Sequence, residues 1–526
     1  MELSRGMKTV FYGHACLKLE GPGGGVLMDP WFSRDGAFYR TWFQFPENRP
    51  LLDRALTGTR AICVSHNHAD HLDPSVLEQA CAADPTLRIH VPRYGTGFLL
   101  QRVAKTAAAI ADRFVEHAAW EAFEAAGASI FFVPEEAPGS VDSALVARFP
   151  DGRALVNLND SRLSSDQLKR IRELVGRVDV LALQCSGASE YPVCYDYPLE
   201  KKSELARKKR ADKFALCREI IDVLRPERLL FFAGPPAFLD PKLAALDLPG
   251  EDSVFPDQLE ALRHFQKERP DIAARGYLAM PGETLDDAIL FARADLSQPR
   301  LDAYARKPEY LREYAARRAD LPPFDWGTAP DEAALKGYFA RMAVLSRYMS
   351  DAIGGPVTFA ARQADGTEVP WTVDFASRQA RPGRDEAALY VLTFPAACLH
   401  DLISGKSTWD DVFLSLRMTF SERTDRFIMH LKTVLRYMDP ALFSAVETYE
   451  RAMHGETVDT FELATPRGRY RVQRLCPHAG TDLESHGRVG ADGTITCLAH
   501  RFCFDLESGE CLNARGYRIK SERLSK

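Results

Sequence analysis

Two short segments near the C-terminus constrain this 526-residue chain more than anything else in it: Cys476-Pro-His478 and Cys497-Leu-Ala-His500, separated by eighteen residues. Each offers one thiolate and one imidazole from a loop too short to spread them apart. The flanking runs RYRVQRL and TITCL alternate apolar and polar side chains, as half-buried strands do. Each segment therefore sits on a hairpin loop, the first carrying Pro477 and Gly480. Two such loops brought together present two sulfur and two nitrogen donors to one small volume.

A Rieske [2Fe–2S] centre needs that set, with thiolates on one iron and imidazoles on the other. The alternative is tetrahedral Zn²⁺ on two Cys and two His, but zinc ribbons and fingers seldom use Cys-x-His. The expected cluster ligands are Cys476, His478, Cys497 and His500. Rieske proteins of respiratory chains carry a further cysteine in each loop, joined as a disulfide. Here the first loop continues Ala479-Gly480-Thr481 and position 499 is Ala. This is similar to the centres of oxygenases and implies a potential toward the low end of the Rieske range. Cys16, Cys63, Cys81, Cys217 and Cys398 lie among apolar neighbours and read as core thiols. Cys503 and Cys511 read as packing residues, and His486 as exposed.

The rest of the chain is too long for one core. Residues 1–295 alternate apolar strands (GVLMD, RAICVSH, SIFFVP, ALVNLND, VDVLALQ, RLLFFAG) with amphipathic helices such as SSDQLKRIRELVG, which is an α/β domain. TVFYGHACLKL reads as its first strand, with His14 on it and facing a pocket, and GPGGG at 21–25 as a hairpin turn. Residues 296–455 read as an α+β middle domain whose pattern resembles sterol-carrier-like domains, serving as a packing module or a pocket wall. Residues 456–526 form the small all-β cluster domain. The net charge of −6 argues against nucleic acid as a partner. No run of about 18 apolar residues occurs, and the N-terminus lacks a signal-peptide core. A soluble cytoplasmic protein with no membrane partner is the expectation.

A second constellation follows the strand RAICVS: His66-Asn67-His68-Ala69-Asp70-His71, and then a helix that Asp73 can cap and Pro74 can begin. Alternating donors on a tight strand-to-helix loop can converge on a cation. H-x-H-x-D-H is the signature of the metallo-β-lactamase fold, an αββα sandwich. In that fold His66 and His68 serve one metal, and Asp70 with His71 a second. The resemblance also gives Asp29 as an acid orienting a ligand histidine, and Asp160, ending ALVNLND, as a bridging carboxylate.

A Rieske centre and this fold in one chain resemble the CMP-N-acetylneuraminate hydroxylase family. The likeness runs through HAC at 14–16, DPW at 29–31, SHNHADH at 65–71, Asp142-Ser143, Asn159-Asp160 and SGASEYP at 186–192. It continues in the basic helix KKSELARKKRADK, Phe232-Ala233-Gly234 and PGET at 281–284, and more faintly in VDF at 373–375 and WDDVFLSLRMTF. Members use O₂ and an external electron donor to hydroxylate a substrate at iron. Two departures stand out. The family carries its Rieske domain at the N-terminus. The fold's histidines before Asp142 and after Phe-Ala-Gly are also missing here, with Asp240 near the second position.

The resulting expectation is a Rieske-dependent non-haem iron oxygenase, hydroxylating or N-oxygenating a small molecule with O₂. A separate ferredoxin or reductase would supply electrons, since no nucleotide-binding fingerprint is visible. Iron would sit on His66, His68 and Asp160, the open two-imidazole, one-carboxylate set. Asp70, His71 and Asp240 would hold a second iron or support the first. The alternatives are a hydrolase of esters, lactones or phosphodiesters with a regulatory cluster, and a pure electron carrier or redox sensor. The helix 201–213 reads as a solvated face with pairs such as Glu204 and Lys208, or as a dock for an acidic ferredoxin or an anionic substrate.

Overall fold

The computed structural model describes residues 8–524 apart from 22, 95–96, 137–141, 248, 286–287, 425–428, 444–445, 447–449, 451–457, 479, 499–500 and 515–516. Two sheets dominate the N-terminal half. The first runs in the order Glu283–Thr284, β1 (Lys8–Gly13), β2 (Cys16–Gly21), β3 (Gly24–Met28), β4 (Thr59–Cys63), β5 (Arg88–Pro92) and β6 (Phe114–His117). The second is built from β7 (Phe123–Ala125), β8 (Ala128–Pro134), β9 (Ser143–Arg148), β10 (Ala154–Asn157), β11 (Val180–Gln184), β12 (Arg228–Phe232) and β13 (Gly276–Leu278), with Ile289–Leu290 at the β13 edge.

Period-two alternation explains how the sheets stack. Phe11, Leu17, Leu19, Val26 and Met28 of the first sheet meet Ile130, Phe132, Leu145, Leu155 and Leu230 of the second in one buried cluster. The intervening residues point outward: Val10 and Leu27 toward α1 (Pro74–Ala83), and Val156 and Leu181 toward α2 (Ser165–Val175) and α3 (Leu199–Leu224). Helices thus cover both outer faces. This is the expected αββα sandwich.

The expected first strand is in fact two. Gly13 at φ +98° and His14 at φ +47° turn the chain, and β1 pairs antiparallel with β2. His14 therefore sits on a hairpin turn rather than within a strand. The second hairpin agrees with the sequence, Gly21 pairing with Gly24.

The middle segment forms a five-stranded sheet from β14 (Pro356–Arg362), β15 (Glu368–Asp374), β16 (Gln379–Pro382), β17 (Tyr390–Pro395) and β18 (Thr419–Glu422), ordered β16-β15-β14-β17-β18. It is followed by the helix α4 (Met429–Tyr437). Its core runs without a break into that of the first sheet, joining Phe359, Leu392 and Trp409 to Ile62, Val76 and Phe98. Polar contacts reinforce the junction: Arg102 makes a two-pronged bond to Asp411 (2.7 and 3.2 Å), and Thr41 Oγ1 donates to the Ser415 carbonyl (2.7 Å).

The C-terminal part has two three-stranded sheets. One joins β19 (Thr460–Thr465), β20 (Gly468–Gln473) and β24 (Ser521–Arg523); the other joins β21 (Gly487–Val489), β22 (Thr494–Cys497) and β23 (Cys503–Asp505). It docks on the N-terminal domain. Glu219 of α3 pairs with Arg501 (2.8 Å) and Arg488 (3.1 Å), and His486 pairs with Glu136 (3.2 Å). The expectation of an exposed His486 is corrected by this contact: the side chain is buried against the neighbouring domain. Among the described residues no helix is long and apolar enough to cross a membrane.

Candidate metal centres

Strand β4 delivers the chain to the N-terminal pocket, and a turn places its donors. The N–H groups of His71 and Leu72 donate to the His68 carbonyl (3.0 and 2.8 Å). The helix α1 then starts at Pro74, with Asp73 accepting from the Val76 N–H, so the expected cap forms. Two carbonyl-directed bonds pin the loop from outside: Tyr94 Oη and Ser143 Oγ both donate to the Ser65 carbonyl (2.9 and 2.8 Å).

One group of donors contains His66, His68, Asp142 and Asp160; a second contains His14, Asp70 and His71. His66 Nε2 lies 3.6 Å from Asp142 Oδ1 and 3.7 Å from Asp160 Oδ1. His71 Nε2 lies 3.8 Å from both Asp70 Oδ2 and Asp160 Oδ1. Asp160 Oδ1 thus stands between the two groups, reached through Asn159 at φ +51°. His14 Nε2 meets Asp70 Oδ2 at 2.9 Å. Fractional side-chain exposures of 14% for His68, 20% for Asp142 and 13% for Asp160, against 0% for His66, mark where the pocket opens.

The surroundings fix the imidazoles for metal binding. Asp29 Oδ1 accepts from the Ser65 N–H (2.7 Å) and Asp29 Oδ2 from Ser65 Oγ (2.8 Å). With that hydroxyl proton used, His66 Nδ1–H donates to Ser65 Oγ (2.8 Å) and His71 Nδ1–H to Asp29 Oδ2 (3.1 Å). This tautomer assignment follows from the bonding pattern and turns both Nε2 atoms into the pocket. Burial, with His71 nearby, pulls His66 down to about 4, so its imidazole is neutral. Burial alone would lower His71 too, but Asp160, Asp70 and Asp29 push it up to about 10. Burial opposes the ionisation of Asp70, yet His71 and His14 hold its carboxyl well below the usual range.

A cation fits this set. Among the described residues His71 Nε2, Asp142 Oδ1 and Asp160 Oδ1 are buried with no hydrogen-bond partner. Converging donors left unsatisfied are costly unless something accepts them, and an imidazole–carboxylate mixture suits Fe²⁺ or Zn²⁺.

The expected donors divide as follows. His66, His68 and Asp160 come together, and Asp70 and His71 join the second group. Asp240 is placed in neither. Its carboxylate pairs with Arg417 of the middle domain (3.1 Å) and accepts from the Lys242 N–H. Asp142 is an added donor whose signal in the sequence is a carboxylate beside the position where the fold offers histidine. His14 came into view only as a residue facing the pocket.

At the C-terminal site Cys476 and Cys497 are buried, unbridged thiols. Each loop is closed by backbone bonds: Cys476 N–H to Thr481 O and Gly480 N–H to Cys476 O, then Cys497 N–H to Phe502 O and Arg501 N–H to Cys497 O, all 2.8 Å. His478 stacks on Phe502 at 4.5 Å. Burial, aided by His430, Lys432, Arg436 and Arg162, pulls it down to about 3, leaving a neutral ligand. Thr481 Oγ1 and Tyr517 Oη are buried without hydrogen-bond partners among the described residues, and donors of that kind suit the sulfurs of a cluster. His500 lies outside the described residues. Cys503 and Cys511 are free and partly exposed, and Cys511 packs against the small core.

Two family profiles match the chain: a Rieske [2Fe-2S] domain over residues 449–520 and a beta-lactamase superfamily domain over residues 8–143. A Mycolicibacterium smegmatis protein provisionally named a Rieske 2Fe-2S iron-sulfur protein is 28% identical over 547 residues, covering 98% of this chain and 100% of its own. A Mycobacterium tuberculosis protein of the same provisional name is 29% identical over 540 residues, with the same coverage. The 4-amino-L-phenylalanyl-[CmlP-peptidyl-carrier-protein] 3-hydroxylase of Streptomyces venezuelae is 24% identical over 243 residues, 42% of this chain and 43% of that one. Among solved structures, the diiron beta-hydroxylase CmlA of S. venezuelae superposes with TM-score 0.36 at 21% identity, covering 53% of this chain and 54% of that one. Igni18, a metallo hydrolase of Ignicoccus hospitalis, gives TM-score 0.36 at 17% identity, covering 53% and 97%. The chain therefore joins a metallo-β-lactamase-fold domain, a mixed α/β middle segment and a C-terminal Rieske domain whose cofactor is a [2Fe–2S] cluster.

Proposed function

We propose that this protein is a Rieske-dependent non-haem iron oxygenase that hydroxylates or N-oxygenates a small molecule. When bound, iron in the N-terminal pocket would supply O₂ chemistry, and the [2Fe–2S] cluster would deliver electrons one at a time. The reading takes 1–295, 296–455 and 456–526 as its domains, with a ferredoxin or reductase as donor and the cytoplasm as location.

The observation that carries the proposal is the donor set. Two imidazoles and two carboxylates, His66, His68, Asp142 and Asp160, converge beside a Rieske domain docked on the same chain. An aspartate takes part where a zinc hydrolase of this fold would use histidine, and two imidazoles with carboxylate are the ligation that non-haem Fe²⁺ uses. The 3-hydroxylase name of the Streptomyces relative supports the same reading. The family resemblance to CMP-N-acetylneuraminate hydroxylases reaches the oxygenase class and leaves the substrate open.

The chain's own residues would act as follows. His66, His68 and Asp160 hold the first metal, with Asp142 completing its carboxylate face. His71, Asp70 and His14 stand ready for a second on the other side of Asp160. Asp29 and Ser65 aim the Nε2 atoms of His66 and His71 into the pocket, where a cation would displace the proton that the surrounding carboxylates hold on His71. Substrate enters where His68, Asp142 and Asp160 are partly exposed; Phe38, 6.4 Å from the His68 ring and edge-on to Trp42, forms an apolar wall there.

The test is turnover of candidate substrates by protein reconstituted with Fe²⁺, with and without O₂ and a one-electron donor. Product that requires both supports the oxygenase. Hydrolysis of an ester or phosphodiester panel by anaerobic, donor-free, zinc-loaded protein would favour the hydrolase.

A further inference from the structure

We propose that the row of cations beside the N-terminal pocket binds an anionic group of the substrate, a carboxylate or a phosphate, on Lys209 and Lys213 of α3, with Lys432 and Arg436 of α4 flanking it. The proposal rests on the oxygenase reading only for where the reacting atom lies; the anion site itself is argued from the cations and their partners.

The cations form a row that starts at the metal pocket. Lys213 Nζ donates to Gln184 Oε1 (2.6 Å). Gln184 ends β11, and its N–H donates to the Asn159 carbonyl (3.1 Å), one residue before Asp160. One turn back on the same face of α3, Lys209 Nζ donates to the Tyr191 carbonyl (2.8 Å). The neighbouring residue, Glu190, is buried and pairs with Lys432 of α4. One turn along α4, Arg436 Nε meets Asp410 Oδ2 at 3.0 Å. The row thus leads from the carboxylate between the two donor groups, across the domain boundary, into the middle segment.

The partners of these cations differ. Lys432 and Arg436 have carboxylates. Lys209 and Lys213 bond only neutral oxygens among the described residues, although both are half-buried with their ammonium groups turned inward. Glu190 and Asp160 act on them only from beyond ion-pair distance, and an ammonium withdrawn from water without a carboxylate in contact is expensive. This corrects the expectation that the helix is merely a solvated face, since Lys202, Lys209 and Lys213 all reach back into the fold. Burial, together with Lys432, Arg162 and Lys213, pulls Lys209 down to about 7 against the opposing pull of Glu190. An arriving anion supplies the missing charge and keeps both lysines protonated. It would also orient the substrate with its other end toward His68 and Asp142.

The test needs no turnover, so its failure is distinct from failure of the oxygenase reading. Inorganic phosphate and acetate are titrated calorimetrically into the purified full chain, its Lys209→Met and Lys209→Met/Lys213→Met variants, and His66→Ala. Wild type should show saturable binding of at least one anion, with phosphate preference pointing to a phosphoryl substrate and acetate preference to a carboxylate. Losing one charge-assisted bond should weaken binding about tenfold, and the double variant should lose it. His66→Ala should bind normally. Acetate affinity should fall as pH rises through about 7, where Lys209, facing Glu190, Lys432, Arg162 and Lys213, sheds its proton. If the double variant does not fold, Lys209→Arg must retain the affinity that Lys209→Met lowers. Absence of saturable binding in wild type, unchanged binding in Lys209→Met, or its loss in His66→Ala overturns the proposal.

Discussion

The two metal-binding regions are built on opposite plans. In the N-terminal pocket the donors are held by side chains from far along the chain: Asp29 holds His71 across 42 residues and His14 meets Asp70 across 56. At the C-terminal site each cysteine is held by backbone bonds within its own loop, and buried hydroxyls at Thr481 and Tyr517 stay without partners among the described residues. The first site is pre-organised by the αββα core and should survive loss of its metal. The second is completed by its cofactor, so cluster loss should loosen the small domain around it.

The largest effect expected is at the cluster. Cys476→Ser should abolish the visible absorption and reduced-state EPR signal of the [2Fe–2S] group and make residues 456–526 sensitive to limited proteolysis. Iron in the N-terminal pocket should remain. A proteolytic pattern like that of wild type would break the contrast between the two plans.

His66→Ala should give the mirror image. The pocket metal is lost, while the Rieske spectrum and the melting transition of the sandwich are kept. A collapsed fold would show that metal, rather than the Asp29–Ser65 shell, organises the pocket.

Asp29→Asn sharpens the same point. It removes no metal donor but disturbs the bonds that fix both histidine tautomers, and metal affinity should fall about 10- to 100-fold. Competition with a chelator measures it.

The smallest effects concern how the parts are joined. Arg102→Ala leaves Asp411 buried without its partner and should cost about 3 kcal/mol in urea unfolding. Glu219→Gln cuts the more exposed link between α3 and the Rieske domain and should cost about 1 kcal/mol or less, with a salt dependence that the buried pair lacks.

The contrast also explains what could be read from the sequence. Both cluster cysteines and the run from His66 to His71 are local patterns, and the strand alternation that stacks the two sheets is local too. Asp142 and His14 reach the pocket only through sheet topology, one just before β9 and the other at a hairpin turn hidden inside what reads as a single strand. His486 looked exposed because nothing nearby in sequence announces Glu136. Asp240 lies near a ligand position of the fold in sequence, whereas in space Arg417, 177 residues away, takes its carboxylate. The lysines of α3 read as a charge run, and only the fold reveals which of them turn inward.

The central claim is that the N-terminal pocket is an iron site working with the cluster. Metal and acid-labile sulfide analysis of anaerobically purified protein, paired with the Cys476→Ser variant, tests it most directly. The account predicts iron beyond the two ions of the [2Fe–2S] group, retained in Cys476→Ser and lost in His66→Ala. Zinc in the pocket, with iron confined to the cluster, would contradict it.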